Sequence, residues 1–180
     1  MTIEQLIPGF QPETALERAL AADPVLLRGL AWGVPRPGHP EGSVGTHVGH
    51  ILAGITEPRG ARRAELRFLA LVHDAFKHRV RPEAGCSPDN DHAVLARRFA
   101  ERCTRDSRLL ATLELHDEPY RIWRTRGEGI EAVLARVPDL GLFLRFVELD
   151  SSTKGKDPRP LGWLRQNVAA QAAPRFALAA

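Results

Sequence analysis

The segment Leu69–Lys77 places a histidine and an aspartate side by side at the end of an apolar run. His73 and Asp74 directly follow Leu71 and Val72, so they continue a pattern that predicts a buried helix. Burying an imidazole and a carboxylate costs several kcal/mol unless each is paired or bound to a metal ion. A divalent cation would satisfy both side chains, so we interpret the pair as metal ligands.

The remaining candidate ligands are histidines and aspartates that interrupt or open other predicted helices. They are His47 upstream, His92 and His116 downstream, and Asp150 at the end of an apolar run. His50 lies three residues after His47 and shares roughly the same helix face, so spacing alone leaves both open as the first ligand. A set of imidazoles and carboxylates without thiolate suits iron, manganese, cobalt, nickel or zinc better than calcium.

The order His, His-Asp, His, His, Asp resembles the HD superfamily of metal-dependent phosphohydrolases, and the resemblance runs from about Ser43 to Asp150. It implies a first ion held by a histidine, the His-Asp pair and a late aspartate, here His47, His73, Asp74 and Asp150. Two-metal members add two histidines, which match His92 and His116, and the aspartate of the pair bridges both ions. The match at Thr46–Leu52 favours His47 over His50.

The activity that the resemblance implies is hydrolysis of a nucleotide or another small phosphorylated metabolite through a metal-activated water. Asp74 and Lys77 would be the catalytic residues. Lys77 lies four residues after His73 and three after Asp74, so its amine can reach the same cleft and stabilise charge on a phosphoryl or leaving oxygen. Two alternatives share these ligands: a di-iron oxygenase, and a non-catalytic domain that binds a metal or a nucleotide and regulates another activity.

One residue departs from the family pattern. Two-metal members often carry two adjacent histidines where this chain has His116-Asp117. Asp117 would either orient His116 or supply a carboxylate ligand itself. The sequence leaves both roles open.

Basic residues near the predicted ligands suggest a small anionic phosphorylated substrate as the partner. Arg81 and Arg121 follow ligand segments, and Lys154 and Lys156 lie in the polar stretch after Asp150. The formal net charge of +3 is dispersed along the chain, which argues against nucleic acid as the partner. A homodimer is compatible with the sequence.

The composition favours a single all-α domain. The chain has 180 residues and few β-branched ones, so we expect one HD-type helical bundle. Residues 1–42 would form N-terminal helices and a loop, 43–150 the metal-binding core, and 151–180 a loop, a helix and a tail. The predicted helices span residues 11–22, 24–32, 43–55, 61–78, 91–102, 106–124, 128–137, 140–149 and 160–171. Ser43, the polar cluster Asp89-Asn90-Asp91 and Asp139 are the expected N-terminal caps of three of them.

The two cysteines do not form a CxxC motif, and no cleavable apolar leader precedes the first helix. The longest apolar runs are shorter than a membrane span. We therefore expect a cytoplasmic protein with reduced thiols and no membrane segment.

Overall fold

The structure, a computed structural model, describes residues 1–36, 40–85, 87–153 and 155–172. Their α-helices are α1 (Ile3–Leu6), α2 (Ala15–Ala22), α3 (Pro24–Leu30), α4 (Val44–Gly54), α5 (Ala61–Val72), α6 (His92–Ala100), α7 (Ser107–Leu115), α8 (Glu118–Arg124), α9 (Ile130–Leu134), α10 (Leu140–Ser151) and α11 (Arg159–Ala172). Short 3-10 turns span Lys77–Arg79, Pro82–Ala84 and Pro88–Asn90. None of the described residues forms a β-strand, so the predicted all-α fold is confirmed.

Helix α5 lies at the centre of the fold and packs against α4, α7 and α10. Its side chains Leu66, Leu69 and Val72 are completely buried in the main hydrophobic core, as their spacing predicts. A second, smaller apolar cluster joins α7 and α10 to α11, and it includes Phe143 and Leu164. The C-terminal part of the chain therefore has a core of its own beside the main one.

Three predicted helix caps are confirmed. Ser43 accepts a hydrogen bond from the Thr46 N–H at the start of α4. Asp91 caps α6 and Asp139 caps α10 in the same way. Such caps are worth about 1 kcal/mol each, and here they fix the helices that carry the predicted ligands.

Several predicted helices are wrong in their extent, and two of them end at a predicted ligand. The helix expected over residues 61–78 ends at Val72, and the helix expected over 106–124 is divided after Leu115. Pro119 explains the second break, because its ring lacks an N–H and would collide with the Leu115 carbonyl in a continuous helix. The N-terminal helix expected from residue 11 begins at Ala15 instead, where the Thr14 side chain caps it.

No helix in the described part of the chain combines the length and the apolar character needed to cross a membrane.

A buried ion pair holds α2 against α5. Glu17 is 1% exposed and Arg67 is 5% exposed, and an Arg67 Nη2 atom lies 2.7 Å from Glu17 Oε2. The Arg67 guanidinium also donates to the backbone carbonyl of Gln11. The N-terminal helices are thus fixed by a charged contact as well as by apolar packing.

We expect Arg67→Met to lower the free energy of unfolding by about 3–5 kcal/mol, because Glu17 is left buried without its partner. Urea denaturation followed by circular dichroism measures the change. Arg98→Ala removes the exposed pair with Asp89 and should cost less than about 1 kcal/mol. A loss for Arg67→Met as small as that of the control would contradict the structural role of the buried pair.

A close backbone approach places α3 directly behind the His73-Asp74 segment. A Cβ atom on Gly29 would lie 1.8 Å from the carbonyl oxygen of Ala75, the residue after Asp74. This distance is far below any van der Waals contact, and the obstacle is backbone that cannot rotate away. Glycine at position 29 therefore allows α3 to support the segment that carries two predicted ligands.

Gly29→Ala should lower stability by about 1–3 kcal/mol, because α3 and the Ala75 carbonyl must separate. The same shift should weaken metal uptake by the folded fraction. Gly162→Ala is the matched control, since a Cβ there meets nothing within 4 Å. Denaturation and metal analysis of both variants test this prediction, which unchanged values for Gly29→Ala would overturn.

Candidate metal centre

Five helices bring the predicted ligands into one buried cluster. His47 projects from α4, His73 and Asp74 follow α5, His92 opens α6, His116 follows α7, and Asp150 lies in the last turn of α10. All are 2% exposed or less except His92, whose side chain is 16% exposed. His50 is exposed, so the structure places His47 rather than His50 among the other candidates.

One carboxylate oxygen of Asp74 faces the first group of ligands. Asp74 Oδ2 lies 3.4 Å from His73 Nε2 and 3.9 Å from His47 Nε2. Asp150 borders the same group, with its Oδ1 atom 2.8 Å from His47 Nε2 and 3.8 Å from His73 Nε2. The donor atoms of His47, His73 and Asp74 lie within 4.8 Å of one another and could hold a metal ion, and Asp150 lies next to the two histidines.

The other oxygen of Asp74 faces a second group. Asp74 Oδ1 lies 3.5 Å from His92 Nε2 and 3.5 Å from His116 Nε2. The three donor atoms are within 4.8 Å of one another and could hold a second ion. Asp74 therefore stands between two histidine pairs, as a carboxylate that bridges two ions would.

Several of these atoms have no hydrogen-bond partner among the described residues. The Nε2 atoms of His73, His92 and His116 and the Oδ1 atom of Asp74 are all buried and unsatisfied. Leaving a buried polar atom unsatisfied costs about 1–3 kcal/mol. Nitrogen and oxygen donors at these separations fit divalent transition metals, which would satisfy all four atoms.

Backbone carbonyls orient two of the rings. His73 Nδ1 lies 3.0 Å from the Ala70 carbonyl oxygen, and His116 Nδ1 lies 2.7 Å from the Leu113 carbonyl oxygen. A carbonyl only accepts, so each Nδ1 carries the proton and each Nε2 presents a lone pair to the cluster. Histidine ligands of metals are commonly fixed in this way.

The electrostatics keep the carboxylates ionised. Burial alone would raise the pKa of Asp74, but the neighbouring His73 and Lys77 hold it well below its usual value. Lys156 and His47 have the same effect on the pKa of Asp150, again against burial. Both side chains are therefore in the charged form that a cation needs.

The histidines differ in their electrostatic surroundings. Burial lowers the pKa of His73, which favours the neutral ring that a metal ion requires. Burial also acts to lower the pKa of His92, but the carboxylates of Asp117 and Asp74 outweigh it and raise the value to about 9. Metal binding at neutral pH would therefore displace a proton from His92.

Two lysines connect the cluster to a surface cavity of about 580 Å³. Lys77 Nζ donates to Asp74 Oδ2 over 2.6 Å, and Lys156 Nζ lies 3.4 Å from Asp150 Oδ1. Both lysines line the cavity, and its other walls are formed by Asp117, Tyr120, Arg121, Trp123, Arg124, Gly155, Asp157 and Pro160. Its volume lies within the range of small-molecule sites.

The substrate-binding residues predicted from the sequence have different positions. Arg121 and Lys156 line the cavity, although the Arg121 guanidinium also donates to Glu118. Arg81 is exposed on the loop before α6, where its backbone bonds to the Asn90 side chain, and it does not line this cavity. Lys154 lies outside the described residues, so its role and that of Arg81 stay predictions.

Two contacts at the cluster were not predicted. Glu41 Oε1 lies 3.6 Å from His47 Nδ1, and the Glu41 side chain is 3% exposed. Tyr120 donates to the hydroxyl of Ser151, the residue after Asp150. Glu41 lies in a stretch rich in proline and glycine and has no helical spacing to the ligands. Its sequence context therefore did not indicate a contact with His47.

The geometry predicts that the purified protein contains about two transition-metal ions per chain. The double variant His92→Ala/His116→Ala should fall towards one ion, because the first group keeps its donors. His50→Ala, which removes an exposed histidine of α4, is the matched control and should keep the wild-type content. Plasma mass spectrometry of untagged protein gives the counts, and one ion in all three proteins would remove His92 and His116 from the ligand set.

The chain was compared with protein-family models, with curated protein sequences and with solved structures, and none of these matched it. The functional assignment therefore depends on the residues themselves. They establish a buried histidine and aspartate cluster that could hold metal ions.

Proposed function

We propose that this chain is a metal-dependent phosphohydrolase of the HD type that acts on a nucleotide or another small phosphorylated metabolite. The observation that carries the proposal is the position of Asp74, whose two carboxylate oxygens each face a separate pair of buried histidine Nε2 atoms. The spatial grouping follows the sequence order that resembles the two-metal branch of that superfamily.

The charge around the cluster supports an anionic substrate. Lys77 and Lys156 line the cavity next to the ligands, and Arg121 and Arg124 lie in its wall. Asp117 and Asp157 are the acidic residues of this lining, so cations predominate. A phosphoryl group at the cluster would thus meet positive charge from the protein on the side that faces the cavity.

Divalent ions bound at the two groups would activate a water near neutral pH and neutralise phosphoryl oxygens. Asp74 would contribute to both positions, since its Oδ2 atom faces the first group and its Oδ1 atom faces the second. Lys77 has its ammonium 2.6 Å from Asp74 and faces the cavity, so it can stabilise charge that develops on a phosphoryl or leaving oxygen.

Lys156 and Tyr120 would position the substrate at the cavity end of the site. The Lys156 ammonium lies 5.5 Å from the centre of the Tyr120 ring, and Tyr120 donates to Ser151. These contacts keep the Lys156 ammonium close to Asp150. The arrangement would fix a phosphate before water attacks it.

Lys77→Met should reduce phosphate release by about 10²–10³-fold in kcat, the effect typical of losing one group that stabilises transition-state charge. Its metal content should stay at the wild-type value, because the lysine is not a ligand. The assay screens nucleoside mono-, di- and triphosphates and small phosphomonoesters with manganese-loaded or iron-loaded protein. Arg98→Met, which alters an exposed cation of α6 outside the cavity, is the control and should keep full activity.

Two outcomes would overturn the proposal. Absence of bound metal after reconstitution with manganese or iron would remove its basis. Iron-loaded protein that consumes oxygen with a small organic substrate, and releases no phosphate from any compound screened, would instead identify the di-iron oxygenase reaction.

A further inference from the structure

Asp117 lies at the break between α7 and α8, next to the second group of ligands. Its Oδ2 atom is 3.3 Å from His92 Nε2, and its Oδ1 atom is 3.7 Å from His116 Nε2. The side chain is 44% exposed and forms part of the cavity wall. One carboxylate thus contacts both histidines of the second group and the space where a substrate would bind.

Asp117 lies near the histidines of the second group as Asp150 lies near those of the first, although Asp117 approaches its two histidines with different oxygens. Asp150 lies 2.8 Å and 3.8 Å from the Nε2 atoms of His47 and His73. Each histidine pair therefore has contacts with Asp74 and with one further carboxylate. Asp150 comes from α10 and Asp117 from a helix break, so the similarity arises from unrelated parts of the chain.

A role in orienting His116 does not fit the contacts. The nitrogen that an orienting carboxylate would bind is Nδ1, and His116 Nδ1 already bonds to the Leu113 carbonyl oxygen at 2.7 Å. Asp117 approaches Nε2 instead, the atom that faces the cluster. Asp117 is also the residue before α8, yet its side chain makes no capping hydrogen bond there.

Each separation between a histidine and a carboxylate oxygen in this group is close to that between two ligands of one ion. Donors bound at about 2.1 Å in a tetrahedral site lie about 3.4 Å apart. The contacts of His92 and His116 with Asp74 and Asp117 span 3.3–3.7 Å. Both Nε2 atoms are buried and make no hydrogen bond among the described residues, so the close carboxylates do not satisfy them directly.

We propose that Asp117 is a carboxylate ligand of the second ion, together with Asp74 Oδ1, His92 and His116. This inference rests on the two-ion site of the proposed function. With Asp117 as a ligand, each group would supply two histidines, one oxygen of Asp74 and one further carboxylate. The second ion then carries an oxygen ligand exposed to the cavity, which makes the site better suited to oxygen-preferring ions such as manganese or iron(II) than a site completed by a third histidine.

Titration of metal-free protein with manganese alone, with free Mn²⁺ measured by electron paramagnetic resonance, tests the proposal. Wild type should bind about two ions. Asp117→Asn should bind the first with unchanged affinity and the second at least about 10–100-fold more weakly. Asp117→Glu retains a carboxylate and should keep more of the second affinity than Asp117→Asn.

Asp157→Asn is the matched control, because it removes one negative charge from the same cavity wall and Asp157 pairs with Arg159 rather than with a histidine. It should bind manganese as wild type does, and circular dichroism should show equal helix content in all variants. Two ions of unchanged affinity in Asp117→Asn would overturn the inference and leave the proposed function intact. One ion in wild type would overturn the inference and the two-ion site on which it rests, and no ion would overturn the proposed function as well. Loss of the second ion in Asp117→Asn without any phosphate release by wild type would contradict only the proposed function.

Discussion

The central feature of the fold is the buried carboxylate of Asp74, which lies among imidazoles that it does not hydrogen-bond. Asp74 is 2% exposed and sits against three histidine nitrogens without hydrogen-bond partners in the described structure. Hydrophobic packing around α5 stabilises the surrounding helices, but no apolar contact can satisfy these atoms. A bound cation would satisfy these atoms and cross-link five helices, so that metal binding and folding stability would be linked.

The two helix breaks show how the chain reaches this arrangement. His73 and His116 each follow the last residue of a helix, and each ring bonds through Nδ1 to the carbonyl three residues earlier. The ring thus uses a carbonyl that the end of the helix leaves without an amide partner. The same bond turns Nε2 towards the other ligands. The same hydrogen bond therefore satisfies the end of the helix and orients the ligand.

The parts of the structure that local pattern determines were predicted well. Apolar spacing located α5 and α10, and the caps at Ser43 and Asp139 followed from residue type. The histidines and aspartates of the cluster were recognisable because burying such side chains in apolar helices costs free energy unless they are paired or bound to a metal ion. The end of α5 was not predicted, because hydrophobic periodicity does not register the bond between the His73 ring and the Ala70 carbonyl. The end of α7 was also missed, although Pro119 is a signal for it in the sequence. The contact between Glu41 and His47 depends on the path of the loop that carries Glu41, which local sequence patterns do not predict.

The two apolar clusters support different parts of the molecule. Helices α7 and α10 contribute to both clusters, whereas α8 and the start of α11 border the cavity, and α11 packs through the smaller cluster with Phe143 and Leu164. The smaller cluster contains no described residue of α5, the helix that Asp74 follows, so a substitution of Leu164 can shift α11 and the cavity without changing a residue packed with α5 in the main core. The lining of the cavity and the packing around Asp74 can therefore change through substitutions at different residues.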